Sequence, residues 1–459
     1  MLNRNIFREY DIRGIVGEDL SPEAARLIGR AWGTYVKRRG ARTVTVGGDL
    51  RLSSPEYAAA VAQGASSCGL NVINVGTGIP TPLLYFSITH LSADGGLMVT
   101  GSHNPIEYNG FKMCEGLAAL WGPQIQTLAA LIEKGDFESG SGEVRDEDLT
   151  EAYMKALTSR VKLSRRLKVV IDAGNGCASI LGPRLLKAIG CEVIPLFCEP
   201  DGRFPNHLPD PTVPKYMAEL GKLVVKEKAD AGIGYDGDAD RVGAVDERGE
   251  IIFADKLLAL LAREVLARGP AAIVFDVKCS EGLVEDIEAH GGEPVMSKTG
   301  HSLIKNKMKE VNAPLAGEMS GHIFFADDYY GFDDALFASA RLLRVLAASG
   351  KKLSSLVGTI PHYEATPEIR VACPDEKKFG LVIKIRDEMR REPGVVGVID
   401  IDGVRAKFAD GWGLLRASNT QPVLVMRFKG KSPAAMKRIQ QIFVSKLRAY
   451  PFVDGLPED

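Results

Sequence analysis

Three alternating carboxylates form the clearest chemical pattern in this chain: Asp236, Asp238 and Asp240 occupy every second position of one short loop. A tight loop can turn such side chains onto one cation, and all-oxygen ligands suit Mg²⁺ or Ca²⁺. An EF-hand fits only superficially, with Glu247 at its twelfth position, because Arg241 stands where that loop requires glycine. Arg241 instead adds a positive charge beside the cluster. The pattern therefore predicts a Mg²⁺ site that also receives a phosphoryl group.

A serine in a polar loop is the candidate for carrying that phosphoryl group. Ser102 lies in Thr-Gly-Ser-His-Asn-Pro, residues 100–105, between Gly101 and His103. Gly101 permits close backbone approach, and His103 is a polar, titratable neighbour. A phosphate on Ser102 would bring about −1.5 to −2 charge and could fill an open position on a metal ion. The alternative is a serine that only forms a turn.

A third loop could bind a phosphate group at its own end of the molecule. It offers a guanidinium, two hydroxyls and an amide, which suit the oxygens of a terminal phosphate. These groups belong to Arg416, Ser418, Asn419 and Thr420. A surface turn closed by its own side chains remains the other interpretation. A dinucleotide-binding interpretation of Gly232, Gly234 and Gly237 is rejected, because the aspartates of the metal loop would repel a pyrophosphate.

A threefold repeat positions the first two of these loops. A strand that ends in aspartate, a turn, a helix, a glycine and a second strand recur, with first strands at 43–49, 168–172 and 272–276. In the first copy the helix begins at about Ser54. Short apolar runs that alternate with helices predict βαβ units and largely parallel sheets.

Each repeat is followed by a further strand that ends in a polar loop. The three loops are residues 100–105, 236–241 and 317–322. Ligand sites in α/β proteins gather at strand ends. We therefore predict three α/β domains with mixed, largely parallel sheets around one central cleft.

The C-terminal part of the chain follows a different pattern. After a linker at 361–367, short strands alternate with two amphipathic helices near Lys377–Arg391 and Ala434–Tyr450. This indicates a smaller α+β domain. The predicted domains are 1–148 with the serine loop, 149–252 with the aspartate loop, 253–364 with the third strand-end loop, and 365–459 with the Arg416 loop.

Composition limits the class of protein and its partners. Of 459 residues, 45% are hydrophobic and 25% charged, which is typical of globular proteins. The net charge of −2 supplies no basic field for nucleic acid. We see no signal peptide or membrane-spanning run, and the seven cysteines form no C-x-x-C pair. We therefore expect a cytoplasmic protein that binds neither nucleic acid nor membrane.

Taken together, the loops resemble those of the α-D-phosphohexomutase superfamily, and the resemblance covers essentially the whole chain. Residues 100–105 look like its phosphoserine loop, 236–241 its metal loop, 318–320 its sugar loop and 416–420 its phosphate loop. The residue sequences of the first and third of these loops are similar to those of the bacterial phosphomannomutase/phosphoglucomutase branch. One departure is Gly48, where the family usually has arginine.

The resemblance implies a mutase that interconverts hexose 1-phosphate and hexose 6-phosphate, with mannose or glucose as the sugar. Phospho-Ser102 would donate to a free hydroxyl, and a bound hexose 1,6-bisphosphate would return its other phosphate. Glucose 1,6-bisphosphate is the implied activator, and Mg²⁺ is held by the Ser102 phosphate and the three aspartates. The implied catalytic residues are Ser102, His103, Lys112, Arg241 and His322, with Lys112 or His322 as the general base. The implied substrate-binding residues are Tyr10, Arg13, Lys278, His301, Glu318 and Ser320, together with Arg416, Ser418, Asn419 and Thr420.

Three other functions stay open at this point. Phosphoglucosamine mutase would use the same residues on an amino sugar. A metal-dependent phosphatase would release free phosphate, and a non-catalytic sensor would bind sugar phosphates without turnover. We expect a monomer or weak dimer.

Overall fold

The N-terminal part of the chain forms a seven-stranded mixed sheet. The structure, a computed structural model, describes residues 2–418 and 421–457. The strands run along the chain as β1 (Ile12–Ile15), β2 (Thr43–Gly48), β3 (Asn71–Thr77), β4 (Gly95–Val99), β5 (Tyr108–Glu115), β6 (Ala118–Ala119) and β7 (Val144–Asp146). Their order is β1-β5-β4-β2-β3-β7, with β6 beside β5. The helices are α1 (Pro22–Lys37), α2 (Ser54–Ser66), α3 (Thr81–His90) and α4 (Pro123–Lys134), and a 3₁₀ turn covers Arg4–Ile6.

The second sheet has five strands in the order β12-β11-β10-β8-β9. These strands are β8 (Lys168–Asp172), β9 (Glu192–Leu196), β10 (Ala231–Tyr235), β11 (Val242–Asp246) and β12 (Ile251–Ile252). The accompanying helices are α5 (Thr150–Thr158), α6 (Ala178–Ala188) and α7 (Pro214–Glu227).

The third sheet has four strands in the order β14-β13-β15-β16. These strands are β13 (Ala272–Asp276), β14 (Glu293–Ser297), β15 (Leu315–Gly317) and β16 (Ile323–Phe325). Its helices are α8 (Ala254–Leu266), α9 (Glu281–Ala289), α10 (His301–Glu310), α11 (Ala335–Ser349) and α12 (Leu353–Val357).

The C-terminal sheet is antiparallel and has the order β17-β22-β21-β20-β19, with β18 also beside β22. Its strands are β17 (Glu364–Ala365), β18 (Ile369–Ala372), β19 (Val395–Ile399), β20 (Val404–Phe408), β21 (Gly411–Ala417) and β22 (Val423–Gly430). Its helices are α13 (Asp375–Met389) and α14 (Pro433–Leu447).

The first three sheets contain the same four-strand unit. It reads β3-β2-β4-β5 in the first sheet, β9-β8-β10-β11 in the second and β14-β13-β15-β16 in the third. In each unit the first three strands are parallel and the fourth is antiparallel. The turn between the third and fourth strands carries the polar loop. The predicted threefold repeat and the fold class are therefore confirmed.

Burial explains why the strands of the repeat are almost entirely apolar. In β8, for example, Val169, Val170 and Ile171 are all fully buried, because helices cover the sheet on both faces. One hydrophobic cluster runs through all three α/β units, whereas the C-terminal domain has a core of its own. The three polar loops are thus fixed to one continuous body. Among the described residues, no helix combines the length and apolar character needed to cross a membrane.

A buried carboxylate joins the second and third α/β units. Asp334 caps α11 by accepting a hydrogen bond from Phe337 N at 2.9 Å. Its Oδ2 also accepts from Tyr153 Oη at 2.8 Å and Tyr329 Oη at 2.6 Å. Burial raises the pKa of Asp334 to about 6, although the hydrogen bonds from both tyrosines oppose the shift.

Candidate active site

The three polar loops meet at one cleft of about 1160 Å³. Residues of the loops at 102–105, 241–243 and 318–322 line it, and the C-terminal domain contributes Thr366 and Arg427. Residues from all four sequence regions that match the sheets and their loops thus line one cleft. Eleven predicted site residues line this cleft: Tyr10, Arg13, Ser102, His103, Lys112, Arg241, Lys278, His301, Glu318, Ser320 and His322.

Ser102 is buried at the tip of the loop after β4 and contacts the aspartate loop directly. Its Oγ donates to Asp236 Oδ2 at 2.9 Å and lies 3.2 Å from His103 Nδ1. Its backbone has φ +49°, in the left-handed region that non-glycine residues rarely adopt. The serine hydroxyl is therefore held at the carboxylate cluster by an unusual turn.

The three aspartates form a compact, fully buried cluster whose ligand oxygens lie within 4.8 Å of one another. Asp238 Oδ1 and Asp240 Oδ1 have no hydrogen-bond partner among the described residues. Burial and the two neighbouring carboxylates raise the pKa of Asp236 well above its ordinary value. Mutual repulsion and orphaned acceptors are both relieved by a divalent cation, so this cluster fits a metal site.

Lys112, on β5, bridges two of these carboxylates. Its Nζ donates to Asp238 Oδ2 at 2.7 Å and also to Asp240 Oδ2. Burial alone would lower the pKa of Lys112, but the two carboxylates raise it above its ordinary value. A lysine that acts as a base needs a lowered pKa, so Lys112 does not meet that condition in this arrangement.

His322 occupies a different electrostatic position. Its Nε2 accepts a hydrogen bond from Arg241 Nε at 2.9 Å, and its Nδ1 lies 3.0 Å from Asp333 Oδ2. Burial would raise the pKa of Asp333, but Lys305 and His322 hold it well below its usual range. His301 stacks on His322 with ring centroids 5.6 Å apart. A charged carboxylate therefore stands behind an imidazole that lines the cleft.

Two cations lie near the serine loop. Arg13 Nη1 donates to the Gly101 carbonyl oxygen at 2.7 Å. Burial, followed by the charges of Arg241 and Arg13, lowers the pKa of His103 well below its ordinary value. His103 is thus a neutral neighbour of Ser102, and the positive charge at this loop comes from the arginines.

The loop after β15 presents a carboxylate and a hydroxyl to the cleft. Ser320 Oγ donates to Glu318 Oε2 at 2.9 Å, and Glu318 Oε1 accepts from Gly300 N. Tyr10 Oη donates to the Thr299 carbonyl oxygen at 2.9 Å, next to this loop. The pair of Glu318 and Ser320 can accept from and donate to hydroxyl groups, as a sugar requires.

The C-terminal loop is described only in part. Arg416 is buried, with Nε 3.1 Å from Asp402 Oδ2, and Ser418 Oγ accepts from Gln421 N at 3.2 Å. Neither residue is among those that line the cleft, whereas Gln421 is. The predicted residues Asn419 and Thr420 lie outside the described residues.

Several residues of the site escaped sequence analysis. Thr81 Oγ1 donates to Asp238 Oδ2 at 2.6 Å, and Thr100 Oγ1 donates to the same oxygen at 3.1 Å. Asp402 Oδ2 accepts from Thr299 N at 3.2 Å, which connects the C-terminal domain to the third unit. Of these three residues only Thr100 stood in a loop that the sequence marked, and the hydrogen-bond partners of all three lie far away along the chain.

This combination of fold and site defines a phosphohexomutase: three repeated α/β domains and an α+β domain around a serine–aspartate site. The chain belongs to the phosphoglucomutase/phosphomannomutase family. Residues 4–139, 151–249 and 253–363 match the family's alpha/beta/alpha domains I, II and III, and residues 368–446 match its C-terminal domain. The predicted enzyme class, an isomerase, is thereby confirmed.

The relatives are similar over nearly their whole length. A phosphomannomutase/phosphoglucomutase of Pseudomonas aeruginosa is 45% identical over 449 residues, 98% of this chain and 96% of that protein. A phosphoglucomutase of Neisseria gonorrhoeae is 44% identical over 453 residues, 98% of each. The crystal structure of a phosphoglucomutase/phosphomannomutase family protein from Burkholderia thailandensis has a TM-score of 0.92 at 44% identity and covers 98% of both chains.

Proposed function

We propose that this enzyme interconverts hexose 1-phosphate and hexose 6-phosphate of glucose, mannose or both, with Ser102 as the phosphoryl carrier. The observation that carries the proposal is the contact between Ser102 Oγ and Asp236 Oδ2 at 2.9 Å, inside a buried carboxylate cluster with orphaned oxygens. A structural serine turn would not need such a cluster. The names of the relatives support the same substrates.

The metal that fits the cluster is Mg²⁺, held by Asp236, Asp238 and Asp240 together with the phosphate on Ser102. When bound, it neutralises charge on the transferring phosphoryl group. Arg241 contributes a second positive charge at the same loop. The buried carboxylates and Arg241 are fixed before substrate arrives, so the site needs little reorganisation during transfer.

In the transfer step the bond between Ser102 Oγ and phosphorus breaks, and a bond forms between phosphorus and the free hydroxyl oxygen of the sugar. The hydroxyl loses its proton to a base, and Ser102 Oγ regains a proton. The product is a hexose 1,6-bisphosphate that reverses the step with its other phosphate, after turning over in the cleft. Glucose 1,6-bisphosphate would then phosphorylate an empty Ser102 and so act as activator.

Of the two candidate bases, the contacts count against Lys112 and leave His322, whose Nε2 would exchange its hydrogen bond from Arg241 Nε for the substrate proton. Lys112 donates to two carboxylates and has a raised pKa, whereas His322 has Asp333 Oδ2 3.0 Å from Nδ1. A carboxylate in that place stabilises the imidazolium that forms when the ring accepts a proton. Lys112 is assigned instead to neutralising the aspartates.

The remaining residues bind the sugar and its resting phosphate. Glu318 and Ser320 would hold sugar hydroxyls, while Tyr10, Arg13, Lys278 and His301 shape the walls of the cleft. The loop of Arg416, Ser418, Asn419 and Thr420 would bind the phosphate that is not reacting, because both substrate orientations place one phosphate there. We also propose a cytoplasmic location and a monomer or weak dimer. The proposed domain limits are 1–148, 149–252, 253–364 and 365–459.

Phosphoglucosamine mutase is not favoured, because relatives at 44–45% identity are named phosphoglucomutase or phosphomannomutase. The test is phosphorus NMR of the enzyme with glucose 1-phosphate, Mg²⁺ and a trace of glucose 1,6-bisphosphate. We expect glucose 6-phosphate without inorganic phosphate, and no conversion by Ser102→Ala. Steady release of inorganic phosphate would instead identify a phosphatase, and binding without turnover a sensor.

A further inference from the structure

The aspartate that ends the first strand of each repeat has no part in the proposed reaction. In the first repeat, Asp49 Oδ2 accepts from Gly101 N at 2.9 Å. In the third, Asp276 Oδ1 accepts from Met319 N at 3.2 Å. Gly101 and Met319 hold the same place, two residues after the strand that carries the loop. Asp49 and Asp276 thus each tie a site loop to the neighbouring strand, whereas Asp172 of the second repeat accepts from Gly174 N and lies 3.1 Å from His207 Nε2.

The residue two positions after this aspartate differs among the repeats: it is Arg51, Gly174 and Lys278. Lys278 lines the cleft. Arg51 does not, and only 2% of its surface is exposed. Its Nη1 donates to the carbonyl oxygens of Pro105 at 2.7 Å and Tyr108 at 2.8 Å, and its Nη2 to those of Ser102 at 3.1 Å and Asn104 at 2.6 Å.

The surroundings of this guanidinium are tightly packed. A Cβ on Gly101 would lie 2.1 Å from Arg51 Nε, so this position of the loop has no room for a side chain. The Phe204 ring of the second unit covers the guanidinium, with its centroid 5.3 Å from Cζ. Four carbonyl acceptors, a glycine and an aromatic face therefore match a planar cation at this spot.

The loop needs such support because its central residue is strained. Ser102 adopts φ +49°, a left-handed conformation that is unfavourable for a residue with a Cβ. Residues persist in such conformations only when their surroundings fix them. The Ser102 carbonyl is itself one of the four acceptors of Arg51.

We propose that Arg51 is a positioning residue, whose guanidinium holds the backbone of residues 102–108 so that Ser102 Oγ stays at Asp236. This inference rests on the proposed function for its kinetic consequence. Lysine cannot replace the planar fork, because its donors radiate from one nitrogen and cannot reach four carbonyls in two pairs. Displacing a reacting group by about 1 Å can cost about 100-fold in rate.

The test compares Arg51→Lys with wild type by amide hydrogen exchange and by steady-state kinetics with glucose 1-phosphate. We expect exchange at residues 100–108 to become at least about tenfold faster. We also expect kcat to fall about 10- to 100-fold, while KM changes less than about twofold because the resting phosphate is bound elsewhere. Gly101→Ala, which places a methyl group against the guanidinium, should reproduce both effects if Arg51→Lys does not fold.

The matched control is Arg341→Lys. Arg341 is also fully buried, but its partners are the carboxylates of Glu264, Asp327 and Asp328, and it does not line the cleft. It should change exchange near its own contacts and leave kcat and the exchange of 100–108 unchanged. Two results for Arg51→Lys would overturn the inference: an unaltered rate of amide exchange at residues 100–108, or faster exchange there with an unchanged kcat. Wild type that turns over no hexose phosphate would refute the proposed function, while exchange would still decide whether Arg51 holds the loop.

Discussion

Replacing Lys112 by methionine should make the stability of this protein depend strongly on Mg²⁺. Lys112 Nζ lies 2.7 Å from Asp238 Oδ2 and also donates to Asp240, and all three side chains are buried. Removing one partner of a buried ion pair typically costs about 3–5 kcal/mol, because the remaining charge is uncompensated. We therefore expect Lys112→Met to lose about that much free energy of unfolding in excess EDTA.

Saturating Mg²⁺ should recover most of this loss. A cation that binds only the folded protein stabilises it by about 4 kcal/mol when its free concentration is a thousand times its Kd. This gain is comparable with the free energy lost on removing the Lys112 ammonium. In wild type the Lys112 ammonium already neutralises the carboxylates, so Mg²⁺ should add less. The assay is the midpoint of urea and thermal unfolding for both proteins, with EDTA and with a Mg²⁺ series.

Lys429→Met is the matched control. Lys429 is equally buried and donates to Asp255 Oδ2 at 2.7 Å, away from the aspartate cluster. It should lose similar stability with or without Mg²⁺. If Lys112→Met shows the same insensitivity, the assignment of its carboxylate partners to a metal site is wrong. Near-normal turnover by Lys112→Met would also exclude an essential role for its charge in the reaction.

Three further predictions concern the Arg416 loop, the buried carboxylate of Asp334 and the aspartate cluster. Arg416→Ala should raise KM at least about tenfold for both glucose 1-phosphate and glucose 6-phosphate in initial-rate assays, and an effect on one isomer alone would contradict a shared site. Because the folded-state pKa of Asp334 is raised to about 6, its contribution favours folding at low pH and is lost as pH rises from about 4 to about 6. The Tm of Asp334→Asn relative to wild type should therefore rise between about pH 4 and pH 6, by the equivalent of about 3 kcal/mol. A Tm difference that stays constant over this pH range would refute the raised pKa of Asp334. Thr81→Val should weaken Mg²⁺ binding about 10- to 100-fold by calorimetry, whereas Thr127→Val, on the exposed face of α4, should not.

Local sequence patterns were sufficient to predict most of the architecture. The helices predicted near Lys377–Arg391 and Ala434–Tyr450 are observed at Asp375–Met389 and Pro433–Leu447. The second begins earlier because Ser432 caps it and Pro433 suits the first helical turn. Strand-end loops were predictable for a similar reason, since turn residues and buried strands leave a local signature.

Contacts between distant segments were not predictable in the same way. Thr81 lies 157 positions from Asp238, and nothing near either residue marks their hydrogen bond. The sequence assigned no role to Arg51, although the residue lies two positions after Asp49, the aspartate that recurs in each repeat. The raised pKa of Lys112 also depends on two carboxylates, Asp238 and Asp240, that belong to another domain. The sequence shows which side chains are charged, whereas the partners of each charged side chain depend on how distant segments pack together.

In the proposed mechanism, Ser102 receives a phosphoryl group from one sugar bisphosphate and donates it to the next sugar phosphate. The most direct measurement loads the enzyme with radiolabelled glucose 1,6-bisphosphate, locates the label by peptide mapping, and then adds unlabelled glucose 1-phosphate. We expect the label on the peptide that contains Ser102, followed by its transfer into the bisphosphate and hexose 6-phosphate pool. Label on another residue, or its release as inorganic phosphate, would show that Ser102 is not the phosphoryl carrier.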